Sequence, residues 1–304
     1  MPEKQKALDS GKPSKTAQFM ALFRALESTY PRERRLFEDP LARRFLSPAL
    51  KAVVYGSKIA CVRKGVVRLL DTVWSGARAS GVARPRLLDD FLRRGIEGGC
   101  VQAVILGAGY DSRAYRLPEL KGLRVFEVDH PGTLRLKRAK LQRSGADCGH
   151  VAYAEIDFLR QPLARVLEEA GFDKTRPAFF LWEGVTNYLT EAAVRRTLAY
   201  IGSLAPGTLL AFTYVHRGAI EAPAAHVKPG VSKLLKKQGE PWTYGILPEE
   251  LPGLLRGCGL ALLEDTGSAE YRKRYLYSRG AHLDGYEFYR AALAAKSSDN
   301  KEDA

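Results

Sequence analysis

The sequence predicts an α/β fold with a mostly parallel, seven-stranded sheet and a helical block ahead of it. The first hundred residues have helical texture, five β-rich runs then alternate with helical stretches, and two more β-rich runs follow. This alternation is typical of a parallel sheet with crossover helices, and the last two runs can pair as an antiparallel hairpin. In chain order the expected strands are 101–106, 123–128, 150–156, 178–182 and 208–215, with the hairpin at 260–266 and 271–278.

The helical block is predicted from apolar spacing and from residues that begin or end helices. Apolar residues recur at helical spacing over 16–29. Residues 36–47 and 49–74 are also more helical than extended. A further helix is expected over 85–97, with Pro85 near its start.

Five regions follow from this pattern. Residues 1–15 are polar and lack periodicity, so we expect a flexible N-terminus, followed by a helical cap over 16–98. The sheet domain is expected over 99–290, with an insertion at 216–247 after the fifth strand. Residues 291–304 are expected to form a flexible tail.

The composition is that of a globular chain. Of the 304 residues, 45% are hydrophobic, which excludes the disordered and collagen-like classes. The four cysteines lie tens of residues apart, so we expect neither a disulfide scaffold nor a zinc site, and no metal. No apolar stretch could span a bilayer, and the start lacks the apolar core of a signal peptide, so we expect a cytoplasmic protein without a membrane partner.

The formal net charge of +14 lies entirely in residues 1–150. Such an excess indicates either a basic surface for nucleic acid, an acidic membrane or an anionic substrate, or solvated helix faces. Basic pairs such as Arg34-Arg35 and Arg43-Arg44 alternate with apolar residues, as in amphipathic helices. We therefore favour helix faces, and nucleic acid stays the less favoured partner.

A glycine turn follows the first predicted strand in the run VQAVILGAGYDSR. Gly107 and Gly109 lie where the first crossover helix should begin, at the edge where open α/β sheets bind their ligands. A dinucleotide fingerprint requires a third glycine, but Ser112 stands there. This departure disfavours NAD or FAD and a nicotinamide-dependent dehydrogenase.

Acidic residues end the next three strands. Asp129 follows the second strand, where a carboxylate can accept hydrogen bonds from both hydroxyls of a ribose; it could also cap the next helix. Asp157 and Glu183 end the third and fourth strands, and Phe158 could cover a base. Their joint placement favours a nucleoside ligand.

Candidates for the second substrate lie after the fourth and fifth strands. Tyr188 and Tyr214 are the candidate catalytic residues, and Asn187 and His216 lie beside them in sequence. A hydrogen-bonded loop histidine is the more economical interpretation of His216, and Tyr214 could belong to the strand core. The aromatic segment 241–245 could be part of a lid or a packed loop.

Several motifs together resemble one known family, over about residues 16 to 280. They are similar to the leucine carboxyl methyltransferase-like family of S-adenosylmethionine-dependent methyltransferases, in its bacterial branch. The motifs are Thr16-Ala-Gln with Arg24 and Glu27, Glu38-Asp-Pro40, ARPRLLDD from Ala83, LGAGYDSRAYR from Leu106, FEVDHP from Phe126, and Trp182-Glu-Gly184 with Tyr188.

The resemblance implies a Rossmann-like class I methyltransferase fold and S-adenosylmethionine as the methyl donor. It also implies cofactor-binding roles for individual residues. These are Arg84 for the methionine carboxylate, the backbone at Gly107 and Gly109 for the methionine and ribose, Asp129 for the ribose hydroxyls, Asp157 with Phe158 for adenine, and Glu183 beside the methionine. Asp111, Arg113 and Arg116 are expected instead to fix the loop through salt bridges.

The expected activity is O-methylation by in-line displacement, of a carboxylate or hydroxyl on a small molecule or peptide terminus. A carboxylate is already ionised at neutral pH, whereas a hydroxyl needs a general base. Two alternatives stay open: a methyltransferase acting on RNA or another polyanion through the basic cap, and a non-catalytic protein that only binds S-adenosylmethionine.

Overall fold

A computed structural model of the chain describes residues 15–223, 227, 242–277 and 285–297. The described residues form one sheet whose strands are β1 (Gln102–Leu106), β2 (Arg124–Asp129), β3 (Val151–Glu155), β4 (Ala178–Trp182), β5 (Leu209–Val215), β6 (Leu260–Thr266) and β7 (Tyr289–Lys296). Their spatial order is β3-β2-β1-β4-β5-β7-β6. The first five strands are parallel, and β7 pairs antiparallel with both β5 and β6.

The order in which strands are added to the sheet changes direction after β3, and the point of change lies between the neighbouring strands β1 and β4. The chain runs outward from β1 to β3 and then returns to the other side of β1, so β1 lies next to both β2 and β4. In such sheets the connections after the two central strands diverge and leave a crevice at their carboxyl ends. This edge is therefore where a ligand is expected.

Helices lie on both faces of the sheet and on its carboxyl side. They are α1 (Lys15–Glu27), α2 (Pro48–Gly56), α3 (Ala60–Val73), α4 (Ala77–Glu97), α5 (Arg113–Arg116), α6 (Pro131–Gln142), α7 (Leu163–Glu169), α8 (Glu191–Gly202), α9 (Gly218–Glu221), α10 (Leu251–Arg256) and α11 (Ser268–Tyr275). Short 3₁₀ helices span Ala42–Phe45, Pro118–Leu120 and Thr186–Tyr188.

Alternating side chains divide the core between the two faces of the sheet. Phe180 and Trp182 of β4 pack in the core under α7, α8 and α10, whereas Phe179 and Leu181 pack on the opposite side with α4. Both faces are apolar because helices cover both faces. Helix α4 packs against β4, β5 and β7 as well as against α1, so it joins the helical block directly to the sheet.

The five parallel strands and the helix near residues 16–29 are confirmed, but the C-terminal pairing differs from the prediction. Strand β6 pairs with β7, and residues 271–275 of the predicted partner strand lie in α11. The expected tail from 291 contains most of β7. This strand reads YRAALAAK, and its alanines fit between β5 and β6, where both faces are buried, although alanine is a poor strand former.

Two helix predictions also differ from the structure. Over 36–47 the chain forms only the 3₁₀ helix Ala42–Phe45, because the buried Asp39 accepts hydrogen bonds from backbone N–H groups at its start. Pro85 lies inside α4 rather than near its start. The extra turns before it are held by packing, since Val82 and Ala83 are buried against the core.

Much of the expected insertion at 216–247 lies outside the described residues, as do residues 1–14 and 298–304. In the described part of the chain, no helix has the length and apolar character needed to cross a bilayer. The same residues hold no group of three or more His, Cys, Asp or Glu side chains that could ligate a metal.

Candidate active site

The two glycines after β1 have different structural roles. Both have positive φ, 65° at Gly107 and 39° at Gly109, which disfavours any residue with a Cβ. A Cβ on Gly107 would lie 2.3 Å from Cγ2 of Val185 in the loop after β4. A Cβ on Gly109 would meet only the carbonyl of Gly107, at 3.6 Å. Gly107 is therefore required by packing, whereas space is open beside Gly109.

Asp129 at the end of β2 holds this glycine loop in place. Its Oδ2 accepts a hydrogen bond from the N–H of Gly109 at 2.6 Å, and its Oδ1 accepts one from the N–H of His130 at 2.6 Å. Burial raises the pKa of Asp129, and the two N–H donors partly oppose that rise. Each carboxylate oxygen can still accept another hydrogen bond, so the residue can receive a pair of ribose hydroxyls.

Glu183 after β4 meets two arginines. Its Oε1 accepts from Nε of Arg84 at 3.0 Å, and its Oε2 accepts from Nη1 of Arg113 at 2.9 Å. Burial alone would raise the pKa of Glu183, but the two guanidinium groups bring it below its usual value. The structure thus brings Arg84 and Glu183, both predicted site residues, into one ionised cluster.

Arg113 connects this cluster to the loop after β1. Its Nε donates to Asp89 of α4 at 2.6 Å, and its Nη1 also pairs with Asp111. Arg116 donates to the same Asp89 at 2.8 Å. Asp89 is fully buried, and the neighbouring Arg113 holds the pKa of Asp111 at about 2 despite the opposing effect of burial. The expected salt bridges of Asp111, Arg113 and Arg116 are present.

Ser112, at the position of the missing third glycine, ties the loop to the helical block. Its hydroxyl donates to Oδ2 of Asp39 at 2.5 Å. The same carboxylate oxygen accepts from Nε of Arg24 at 2.9 Å, and Arg24 also donates to the carbonyl of Tyr110 at 2.6 Å. Three motifs that lie far apart in sequence therefore meet at the fully buried carboxylate of Asp39.

Asp157 and Phe158 lie just beyond β3, at the same edge of the sheet. Oδ1 of Asp157 accepts from the N–H of Leu159 at 3.0 Å, and its other oxygen lies 3.5 Å from Nε of Arg160. Phe158 is half-buried and packs against the sheet core. Both side chains retain exposed surface on the strand next to Asp129.

The two candidate catalytic tyrosines have different surroundings. Tyr188 ends a 3₁₀ helix after β4 and is half-buried at the carboxyl edge. Tyr214 is 1% exposed and packs in the core on the face opposite α4; its hydroxyl donates to Asp265 at 2.8 Å and accepts from Arg290 at 3.1 Å. These contacts disfavour Tyr214 as a catalytic residue, because its hydroxyl is already held by an ion pair between β6 and β7.

Tyr289 is the residue of this edge that sequence reasoning missed. The guanidinium carbon of Arg84 lies 4.5 Å from the centre of its ring, and its hydroxyl lies 3.5 Å from Oδ1 of Asn187. Trp242 packs beside it, with ring centres 6.5 Å apart. Tyr289 is the first residue of β7. The apolar run that follows it is the sequence feature that could have predicted a buried strand here.

Many basic residues of the N-terminal half are engaged in ion pairs, which favours the interpretation as helix faces over a nucleic-acid surface. The pairs include Arg24–Asp39, Arg78–Asp71, Arg86–Asp90, Arg93–Glu119, Arg94–Glu264 and Arg116–Asp89.

A cavity of about 470 Å³ lies at the opposite edge of the sheet, by the amino ends of β1 and β2. Two of its lining residues bond to each other there, since Gln102 donates to the carbonyl of Asp173 at 2.8 Å and accepts from its N–H at 3.0 Å. Ligands of open α/β sheets bind at the carboxyl edge, so this cavity is not the candidate site.

Comparison with known proteins agrees with this geometry. The profile of a family described as leucine carboxyl methyltransferase matches residues 17–202. A candidate S-adenosyl-L-methionine-dependent methyltransferase of Streptomyces coelicolor is 36% identical over 255 residues, which cover 80% of this chain and 81% of that protein. One from Frankia alni is 32% identical over 252 residues, with the same coverage.

Two solved structures share the fold over nearly the whole chain. A candidate methyltransferase of Thermobifida fusca superposes with a TM-score of 0.55 at 20% identity and covers 96% of this chain and 98% of its own. A DUF574 family protein of Streptomyces avermitilis gives a TM-score of 0.56 at 17% identity and covers 90% and 97%. At such identities the likeness concerns the fold alone.

Proposed function

The chain belongs to the leucine carboxyl methyltransferase family and is an S-adenosylmethionine-dependent methyltransferase, and on that premise we propose that its acceptor is the carboxylate of a small molecule. The proposal chooses between the two oxygen acceptors that the sequence left open. It depends on which side chains at the carboxyl edge could remove a proton.

The observation that carries the proposal is that three candidate bases, Glu183, Tyr214 and His216, are each engaged by other groups of the protein. Glu183 is held by two guanidinium groups that lower its pKa, so it is a weak base. Tyr214 is engaged by Asp265 and Arg290. Nδ1 of His216 accepts from the N–H of Gly218 at 3.1 Å, so that nitrogen is occupied by its own turn.

A hydroxyl acceptor would need such a base, since its proton must leave during the transfer. A carboxylate acceptor needs none, because it is already ionised at neutral pH. The arrangement therefore favours a carboxylate, for which the protein supplies position and exclusion of water.

S-adenosylmethionine supplies the methyl group, and the transfer forms a carbon–oxygen bond while the carbon–sulfur bond breaks with its electrons remaining on sulfur. The residues present fit this group, because space is open beside Gly109 and Asp129 has spare acceptor capacity. In our proposal the holding residues are Gly109 and Asp129 at the ribose, Gly107 in the loop behind it, Asp157 and Phe158 at adenine, and Arg84 and Glu183 at the methionine carboxylate and ammonium. Tyr188 stays a candidate for contact with the acceptor.

The test is S-adenosylhomocysteine formation by the purified chain with panels of carboxylic acids, their methyl esters, phenols and alcohols. We expect turnover with one or more acids, none with the matched esters, and a kcat/KM that stays level from pH 6 to 9. Turnover confined to phenols or alcohols, rising with pH, would reject the proposal. Transfer to RNA and to no acid would reject it as well.

A further inference from the structure

The amide of Asn187 has an unused donor at the candidate site. Asn187 is 0% exposed, and its Nδ2 has no hydrogen-bond partner among the described residues. Leaving a buried amide donor unpaired costs about 1–3 kcal/mol, so natural proteins rarely do so without a functional reason. The hydroxyl of Tyr289 donates a long hydrogen bond of 3.5 Å to its Oδ1.

Asn187 and Tyr289 lie next to the ionised cluster of the site. Asn187 is in the 3₁₀ helix that follows β4, four residues after Glu183. Tyr289 pairs with Val215 in the antiparallel register, which places the start of β7 at the carboxyl end of β5. Its ring lies against Arg84, which is itself paired with Glu183. Both side chains are thus beside the residues assigned above to the methionine part of the donor.

Both groups are neutral donors, which suits a carboxylate nucleophile. Burial raises the pKa of Tyr289, so its hydroxyl keeps its proton at neutral pH. A cation bound tightly to the acceptor would lower its nucleophilicity, whereas neutral donors on one oxygen leave the other free to attack. Arg84 is paired with Glu183 and assigned above to the methionine carboxylate, so it is not needed for this purpose.

A cluster of aromatic rings continues from Tyr289, and Trp242 lies at its half-buried side. The ring of Trp242 lies 5.3 Å from that of Phe288, and the rings of Tyr286 and Phe288 stack at 5.1 Å. Trp242 is half-buried, and the backbone that follows it is fixed to the same loop, since the N–H of Thr243 donates to the carbonyl of Asn187 at 2.8 Å. Such rings pack favourably against another arene in offset or edge-to-face contacts.

We propose that the Tyr289 hydroxyl exchanges its long bond to Asn187 for one to the acceptor carboxylate, that Asn187 Nδ2 donates to the same oxygen, and that Trp242 packs against an aromatic body. The acceptor is then an aryl or arylalkyl carboxylic acid. This inference rests on the proposed function, because it assumes a carboxylate acceptor.

The test measures binding by calorimetry to the chain saturated with S-adenosylhomocysteine. The probes are benzoate, phenylacetate and biphenyl-4-carboxylate, with acetate and biphenyl-4-methanol as their counterparts. We expect an aryl acid to bind at least tenfold more tightly than either counterpart. Asn187→Leu, which keeps the volume but removes the donors, should weaken that binding tenfold or more and leave S-adenosylhomocysteine affinity within twofold.

Tyr289→Phe and Trp242→Ala provide independent variants should Asn187→Leu fail to fold. Tyr200→Phe is the matched control, because Tyr200 packs against the sheet core on α8 outside this cluster. Equal binding of the aryl acids by wild type and variants would overturn the inference, as would failure of all three acids to bind the wild type. If aliphatic acids are then methylated, only this inference fails; if biphenyl-4-methanol is methylated and the acids are not, the proposed function fails too.

Discussion

Gly107 and Val185 touch across the junction of β1 and β4, so closely that a Cβ on Gly107 would lie 2.3 Å from Cγ2 of Val185. The contact joins the two loops that flank the crevice. The glycine turn is thus part of the packing of the protein itself, independently of any ligand.

Gly107→Ala should lower the free energy of unfolding by about 3 kcal/mol, combining overpacking with a positive φ. The measurement is urea unfolding. Gly145→Ala is a matched control, because Gly145 has φ 67° and no heavy atom within 4 Å of an added Cβ; it should cost only about 1 kcal/mol. In the background of Val185→Ala the cost of Gly107→Ala should shrink toward the control value. Equal costs for both glycines would show that Val185 moves aside freely.

Asp129→Ala should weaken binding of S-adenosylmethionine by about 2 kcal/mol, because hydrogen bonds to a charged acceptor are lost. Calorimetry measures the affinity directly, and Asp147→Ala in an exposed loop is the control. The variant should also lose some stability, since Asp129 accepts from the N–H groups of Gly109 and His130. Wild-type affinity in a folded Asp129→Ala variant would remove this residue from the binding site.

Tyr214→Phe should leave methyl transfer within about twofold of wild type and lower the free energy of unfolding by about 1–2 kcal/mol. The Tyr214 hydroxyl donates to Asp265 and accepts from Arg290. Its removal deprives both members of this half-buried ion pair of a hydrogen bond. Urea unfolding and S-adenosylhomocysteine formation are measured on the same preparation. A loss of turnover of a hundredfold or more with unchanged stability would instead support Tyr214 as a catalytic residue.

The sequence predicted those parts of the fold that local patterns encode. The strand before Gly107 and the three strands that end in acidic residues were predicted correctly. Each is a short β-rich run that is followed by a glycine or a carboxylate of the kind that binds ligands at the edge of an open α/β sheet. Strand β7 was missed because YRAALAAK has no strand-forming residue in its alanine-rich middle; its burial between β5 and β6 is a tertiary effect.

Within the site, the sequence predicted which residues would bind a nucleoside but not which of them contact one another. The pairing of Arg84 with Glu183 joins α4 to the end of β4, ninety-nine positions apart. Nothing local distinguishes Arg84 from the other arginines of that helix. From the sequence, Ser112 was notable only because it replaces the third glycine of the dinucleotide fingerprint. In the structure its hydroxyl donates to Asp39 and so fixes the loop.

Asp111 should make the protein sensitive to acid. Its pKa is about 2 in the folded chain, against an ordinary value of 3.8, because Arg113, its backbone N–H and the nearby cations Lys137 and Arg24 together outweigh the effect of burial. A carboxyl group whose pKa is lower in the folded state stabilises that state above its unfolded pKa, and the stabilisation is lost as the pH falls through the folded pKa. The difference corresponds to about 2 kcal/mol at neutral pH, with about half of it lost by pH 3. Glu183, whose pKa is also lowered, adds to the loss over the same range.

Urea unfolding of wild type and Asp111→Asn at pH 6.5, 4.5 and 3 measures this contribution. The stability gap between them should narrow by about 1 kcal/mol between pH 6.5 and pH 3, because the asparagine does not titrate. Asp147→Asn, a change at an exposed carboxylate, should give a curve nearly parallel to wild type. A gap that stays constant down to pH 3 would mean that Asp111 titrates alike in the folded and unfolded chain, so that Arg113 is held in place mainly by Asp89 and Glu183.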